Sequence, residues 1–199
     1  MINLITPLYR YSNIPIVYST IIHQLTDFKW HLIEGSNKID NYDLSFLNDD
    51  KRVIRYKIDT YHVWGHEQRN YFIDNISAND NDWCYFLDDD NIVSNDLSEI
   101  SQSNEYIDYD FILFSQKAGL TKRDRLFGKS SNNLSMGAVD IGSFLIKFSL
   151  IKKTRIPSVE NRNSDGVYGE GMKQFLNTHK FKFIPDKFVT YNALSLIII

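Results

Sequence analysis

Short apolar segments alternate with segments of helical spacing along this chain, and polar turns separate them. Such alternation is typical of an α/β sheet with helices on its faces. It predicts strands at residues 2–6, 29–33, 52–58, 83–87, 109–114, 181–184 and 188–191. It predicts helices at residues 15–25 and 66–76, and a loop that leads into a helix at 166–178. Pro7 is expected to end the first strand, and Asp96 with Glu99 predicts a capping box for a short helix.

One predicted strand, residues 83–87, ends in three consecutive carboxylates, Asp88, Asp89 and Asp90. Three like charges at a strand tip repel each other, so they need a cation or a basic partner. A divalent metal such as Mg²⁺ or Mn²⁺ fits, because it prefers carboxylate oxygens and keeps coordination positions open for substrate phosphates. A solvated acidic turn that caps the next helix is the alternative that these residues leave open.

Length and composition narrow the possible functions. A chain of 199 residues with no evident boundary fits a single domain, residues 1–199. Its net charge of -3 and its lack of a basic block argue against nucleic-acid binding. Its one cysteine excludes an intrachain disulfide, and its scattered histidines do not form a histidine metal site. No signal peptide or spanning segment is evident, so we expect a cytoplasmic protein, with the apolar tail 196–199 leaving peripheral membrane contact open.

Several short motifs along the chain resemble, in order, those of GT-A glycosyltransferases. They are Thr6-Pro7-Leu8-Tyr9-Arg10, Trp30-His31-Leu32-Ile33-Glu34-Gly35-Ser36, Gly65-His66-Glu67-Gln68-Arg69-Asn70, Tyr85-Phe86-Leu87-Asp88-Asp89-Asp90-Asn91, Val139-Asp140-Ile141-Gly142-Ser143-Phe144 and Tyr168-Gly169-Glu170. Within that class, the set is similar to the glucuronosyltransferase-type family 43, in a compact bacterial or viral form. The resemblance implies a Rossmann-like mixed α/β sheet flanked by helices, with a nucleotide-sugar half at about residues 1–95 and an acceptor half at about 96–199.

The resemblance also implies an activity, a cofactor and site residues. The activity is inverting, metal-dependent transfer of a sugar from a UDP-sugar donor to a hydroxyl of a glycan or glycoconjugate acceptor. Asp90 and Asp88 would hold Mn²⁺ or Mg²⁺, and Glu170 would be the general base, with Asp165 as the rival. The residues assigned to donor binding are Thr6, Pro7, Tyr9, Arg10, Glu34, Arg69, Asp88 and Asp89. Among these, Tyr9 would stack on the uracil ring.

The chain departs from the family pattern at three places, one of which is Trp64, where the family has a basic residue. Gly35 stands where the family has a uracil-binding Asp, and Glu34 is the adjacent substitute. Residues 190–193 stand where the family has a His and an Arg that hold the diphosphate. The positive charge that neutralises the diphosphate must therefore come from other residues. The candidates are the basic residues Lys122, Arg123, Arg125 and Lys129.

Two other functions stay open at the level of sequence. A catalytically weak nucleotide-sugar-binding module would keep the fold and lose turnover. A sugar-phosphate nucleotidyltransferase would share the strand order, although it needs a Gly-rich basic loop where this chain has residues 6–10.

Overall fold

The computed structural model describes residues 1–37, 39–60, 65–94, 97–118, 140–157 and 164–194. The strands are β1 (Ile2–Leu8), β2 (Phe28–Glu34), β3 (Val53–Lys57), β4 (Trp83–Phe86), β5 (Ile92–Val93), β6 (Phe111–Ala118), β7 (Phe144–Lys147) and β8 (Phe181–Tyr191). The α-helices are α1 (Ile14–Gln24), α2 (His66–Asn75), α3 (Ser98–Gln102), α4 (Phe148–Ile151) and α5 (Ser164–Met172). Within these described ranges, no helix combines the length and apolar character needed to cross a membrane.

The strands form one mixed sheet in the order β3-β2-β1-β4-β7-β6-β8-β5. Strand β1 lies parallel to both β2 and β4, whereas β7 runs antiparallel to its neighbours β4 and β6. From β1 the chain turns first towards β2 and only later returns to place β4 on the opposite side. The carboxyl ends of β1 and β4 therefore flank a topological switch point, where open α/β sheets form their ligand-binding crevice.

Both faces of the sheet are covered, which explains why its strands are continuous apolar runs in the sequence. In β4, Trp83 and Tyr85 pack into the core that contains α1, while Cys84 and Phe86 pack into the opposite core. All four side chains are at most 1% exposed. The second core includes residues of α2, α4 and α5. The strand that carries the acidic triplet is thus anchored on both sides.

The sequence pattern predicted that Pro7 ends the first strand, and this prediction was wrong. Strand β1 continues to Leu8 because its pairing with β2 extends from Ile2 to Leu8. Its pairing with β4 stops at Ile5. Pro7 therefore lies where the ladder towards β4 has already opened, and a missing backbone N–H is tolerated there.

Other predictions near the carboxyl half were also wrong in detail. The two expected strands at 181–184 and 188–191 are one strand, β8, whose pairing with β6 shifts register around Pro185. Helix α5 begins at Ser164, earlier than expected. Leu97 precedes α3 and makes no side-chain cap, and Asp96, the expected capping residue, lies outside the described residues. Strand β6 extends to Ala118, and residues 119–139 lie outside the described residues.

A buried histidine in β2 makes the stability of this fold depend on pH. His31 is 2% exposed, and its ring nitrogens lie 3.1 Å from Asn3 Oδ1 and 3.3 Å from the Tyr56 hydroxyl. Burial, assisted by the charge of Lys29, lowers the pKa of His31 from 6.5 to about 4. The folded protein therefore holds this imidazole neutral over a pH range in which the unfolded chain protonates it.

We predict that the free energy of unfolding falls as the pH is lowered from 6.5 to 4, because only the unfolded state binds a proton at His31 in that range. This component is about 3 kcal/mol at most, and the His31→Gln variant should lack it. Urea unfolding of the wild type, His31→Gln and the exposed-site control His23→Gln at several pH values measures it. Parallel pH profiles for wild type and His31→Gln would contradict the prediction.

Candidate functional site

A cleft of about 230 Å³ opens at the carboxyl ends of β1 and β4. Its lining residues are Pro7, Tyr9, Arg10, Gly65, Arg69, Asp88, Asp89, Asp90 and Asn192. Seven of these nine were candidates from the sequence, and they come from three separate segments of the chain. Gly65 and Asn192 were not predicted as site residues from the sequence.

Asp89 joins the segment after β1 to the end of β4. Its Oδ2 accepts hydrogen bonds from the backbone N–H groups of Tyr9 and Arg10, both at 2.7 Å. Its Oδ1 accepts a third bond from Arg10 Nη1, also at 2.7 Å. Burial raises the pKa of Asp89, which is 2% exposed, while Arg10 and the two amides act against that rise. This carboxylate fixes the positions of Tyr9 and Arg10 at the cleft.

Arg69 brings a second positive charge to the triplet from α2. Its side chain is only 4% exposed and forms an ion pair with Asp88, whose side chain is 33% exposed. Burial lowers the pKa of the Arg69 guanidinium, but Asp88, Asp165 and Asp140 together raise it above its usual value. Asp165, the rival candidate base, therefore lies in the electrostatic surroundings of the cleft. Burial also raises the pKa of Asp88, against the effect of Arg69.

Tyr9 is held by its hydroxyl group. The hydroxyl oxygen accepts hydrogen bonds from the Gly65 backbone N–H at 2.9 Å and from Gln68 Nε2 at 2.7 Å. Gly65 has a φ of 73°, and a Cβ there would lie 2.7 Å from Pro7 Cγ. Both observations require glycine at this position. The start of α2 thus packs directly against the strand end that presents Tyr9.

Asn192, the other unforeseen lining residue, follows the end of β8. Its φ of 51° places it in the left-handed region, which Asn tolerates better than most residues. Its backbone N–H donates to Asn91 Oδ1 at 2.6 Å, and the Leu194 N–H donates to the Asp90 carbonyl at 3.0 Å. The turn after β8 is therefore attached to the acidic strand end itself. Asn192 lies in the segment where the family pattern has its His and Arg.

Four predicted site residues do not line the cleft: Thr6, Glu34, Asp165 and Glu170. The Thr6 hydroxyl is buried and accepts a hydrogen bond from Trp30 Nε1 at 2.9 Å. Glu34 accepts hydrogen bonds from the Tyr11 hydroxyl and from the Arg55 guanidinium. Glu170 is 42% exposed on α5 and pairs with Lys173 at 2.8 Å. The basic candidates Lys122, Arg123, Arg125 and Lys129 lie outside the described residues.

The chemistry of the cleft suits a hard divalent cation that binds together with a phosphate ligand. Asp88 and Asp90 both line it and both offer oxygen ligands. Among the described residues, no group of three metal-ligating side chains converges. A cation here would therefore take two protein carboxylates and complete its shell with phosphate oxygens and water, as Mg²⁺ commonly does.

The sequence matches no protein-family model, and no curated protein matches it. Solved structures do resemble it. One is S. aureus TarS 1–349 in complex with UDP, with a TM-score of 0.68, 14% identity, 94% of this chain covered and 58% of the other. Another is the galactosyltransferase LgtC in complex with donor and acceptor sugar analogues, with a TM-score of 0.53 and 10% identity. The match covers 92% of this chain and 73% of the LgtC chain.

A third similar structure is a Bacillus anthracis protein assigned as a glucose-1-phosphate thymidylyltransferase, in complex with a sucrose. Its TM-score is 0.53 at 14% identity, with 98% of this chain covered and 91% of the other. At these identities the likeness concerns the fold, and it confirms the expected GT-A fold. The likeness does not confirm the expected membership of family 43. The chain spans 58% of the length of the TarS fragment.

We predict that Asp89→Asn lowers the free energy of unfolding by about 3 kcal/mol, because an amide nitrogen would then face groups that only donate hydrogen bonds. Asp80→Asn is the matched control, since Asp80 pairs with Lys152 at the exposed surface. That change should stay within about 0.5 kcal/mol. Chemical denaturation of the three proteins measures both effects, and equal stabilities for the two variants would contradict the structural role of Asp89.

Proposed function

We propose that this protein transfers a sugar from a nucleoside diphosphate sugar, a UDP-sugar, to a hydroxyl group of a glycan or glycoconjugate. One observation carries the proposal: Asp88, Asp89 and Asp90 line a single cleft with Tyr9 and Arg10 at the switch point of the sheet. The fold is shared with a structure that contains UDP, which supports this choice of nucleotide. The cleft offers an aromatic ring for the base and charged groups for the diphosphate.

Asp88 and Asp90 are the residues that would hold Mn²⁺ or Mg²⁺. When bound, the cation supplies positive charge that stabilises the departing diphosphate. Arg10 adds a positive charge beside the proposed metal ligand Asp90, because its Nη1 lies 3.5 Å from Asp90 Oδ2. The Arg10 side chain is 34% exposed, so a diphosphate in the cleft could reach it. Oriented charges of this kind favour the leaving group without reorganisation during the reaction.

We infer that Asp165, rather than Glu170, is the general base. Inverting transfer needs a carboxylate near the reacting centre that accepts the proton of the acceptor hydroxyl. Asp165 is partly buried at the start of α5 and interacts with Arg69, which lines the cleft. Glu170 is more exposed and pairs with Lys173 on the same helix. We therefore assign proton acceptance to Asp165 and keep Glu170 as the comparison.

We predict that Asp90→Asn removes most of the enhancement of UDP affinity by Mn²⁺. Losing a metal ligand should weaken metal-dependent binding by about tenfold or more. Titration calorimetry with UDP, with and without Mn²⁺, measures it. The exposed control Asp108→Asn, which only breaks a surface pair with Lys180, should behave as the wild type. An undiminished Mn²⁺ effect in Asp90→Asn would refute the metal role.

We predict that Asp165→Asn lowers kcat by about 100-fold or more, as expected for removal of a general base. Its affinity for UDP should change little, because the base acts on the acceptor. Glu170→Gln should retain most activity. A donor screen for UDP release with and without acceptor measures both variants. The reverse ranking of the two variants would move the assignment to Glu170, and pyrophosphate exchange without sugar transfer would indicate a nucleotidyltransferase.

A further inference from the structure

A buried carboxamide near the carboxyl end of β6 has no partner within the part of the chain that the structure describes. Gln116 is 0% exposed, and neither its Oε1 nor its Nε2 finds a hydrogen-bond partner there. Leaving buried polar atoms unpaired costs free energy that an apolar residue of the same size would not. Most buried polar atoms in proteins are satisfied, so a side chain with both atoms unpaired needs an explanation.

Polar groups surround this amide, and the absence of a side chain at Gly142 leaves space for it. A Cβ added at Gly142 would lie 3.1 Å from Gln116 Nε2, 3.1 Å from Asp140 Oδ1 and 3.4 Å from the Phe86 carbonyl oxygen. Any larger residue at position 142 would therefore press on the amide. Asp140 accepts a hydrogen bond from the Gly142 N–H at 2.8 Å. Phe86 ends β4, so the amide lies beside the strand that leads into the acidic triplet.

The order of the strands places Gln116 two strands beyond β4, on the side of the triplet away from Tyr9. The sheet runs β1-β4-β7-β6, with Tyr9 following β1, the triplet following β4 and Gln116 in β6. A donor whose base lies at Tyr9 and whose diphosphate lies at the triplet would extend its sugar towards β7 and β6. The charge of Asp140, which raises the pKa of Asp88, makes this side unfavourable for phosphate and suitable for neutral hydroxyl groups.

We infer that the Gln116 carboxamide hydrogen-bonds a hydroxyl group of the donor sugar and helps to determine which sugar is accepted; this inference rests on the proposed function. A carboxamide offers one acceptor and two donors, and a ring hydroxyl is both a donor and an acceptor. Binding of the sugar would satisfy the amide, whereas an analogue without that hydroxyl would leave it unpaired. Gln116 is thus a specificity-determining residue, distinct from the residues that hold the diphosphate.

The test compares the affinities for UDP and for a panel of UDP-sugars in the presence of Mn²⁺. The panel contains UDP-glucose, UDP-galactose, UDP-N-acetylglucosamine and UDP-glucuronic acid. In Gln116→Met, the advantage of the preferred UDP-sugar over UDP should fall by about tenfold, while UDP affinity stays within about twofold. The Tm should rise by roughly 2–4 °C because a buried unpaired amide is removed. Gln116→Leu is a second variant with the same expectation.

Ser94→Ala is the matched control, because the Ser94 hydroxyl is also buried without a partner among the described residues. Its Tm should rise without any change in the sugar advantage. An unchanged sugar advantage in both Gln116 variants would overturn the inference and assign the amide to an internal water. A wild type that binds UDP but gains nothing from any sugar would also overturn it. Failure of the wild type to bind UDP or any UDP-sugar would instead refute the proposed function.

Discussion

The neutralisation of a buried acidic strand end by two arginines is the interaction on which the cleft depends. Asp89 is 2% exposed and Arg69 has a side chain 4% exposed, so neither charge is solvated by bulk water. A buried charge without a partner costs several kcal/mol, roughly 3–5 when one member of a pair is removed. Arg10 comes from the segment after β1 and Arg69 from α2. Pairing with β4 therefore holds three separate elements at one point.

This charge balance also suits the cleft to a cation and a phosphate ligand together. Two guanidinium groups face three carboxylates, so these five side chains carry more negative than positive charge. A divalent cation is attracted to such a site, while a diphosphate alone meets a negative potential. Among the described residues that line the cleft, Asp88 and Asp90 are the proposed metal ligands, so phosphate oxygens and water would supply the rest of the shell. Metal and nucleotide are accordingly expected to strengthen each other's binding.

The features predicted correctly from sequence are those encoded locally. The apolar run 83–87 followed by three Asp residues is enough to predict a buried strand with an acidic end. The positions of Gly65 and Asn192 depend instead on contacts between distant segments, such as the Asn192–Asn91 bond across 101 residues. The contacts of the Glu34 carboxylate with Tyr11 and Arg55 also join distant segments, and its role in binding the base stays a prediction. Long-range pairing of this kind leaves no local pattern.

The proposed roles of these residues separate nucleotide binding from sugar recognition along the sheet. Residues after β1 and β4 are tied together by Asp89, so a substitution there alters stability and nucleotide binding at once. Gln116 has no such bonds to the described residues. If Gln116 binds the donor sugar as proposed, exchange at that position would cost the scaffold little and would change what the sugar encounters. On this proposal, specificity would vary on the β6 side while the charge balance of the β1–β4 side is preserved.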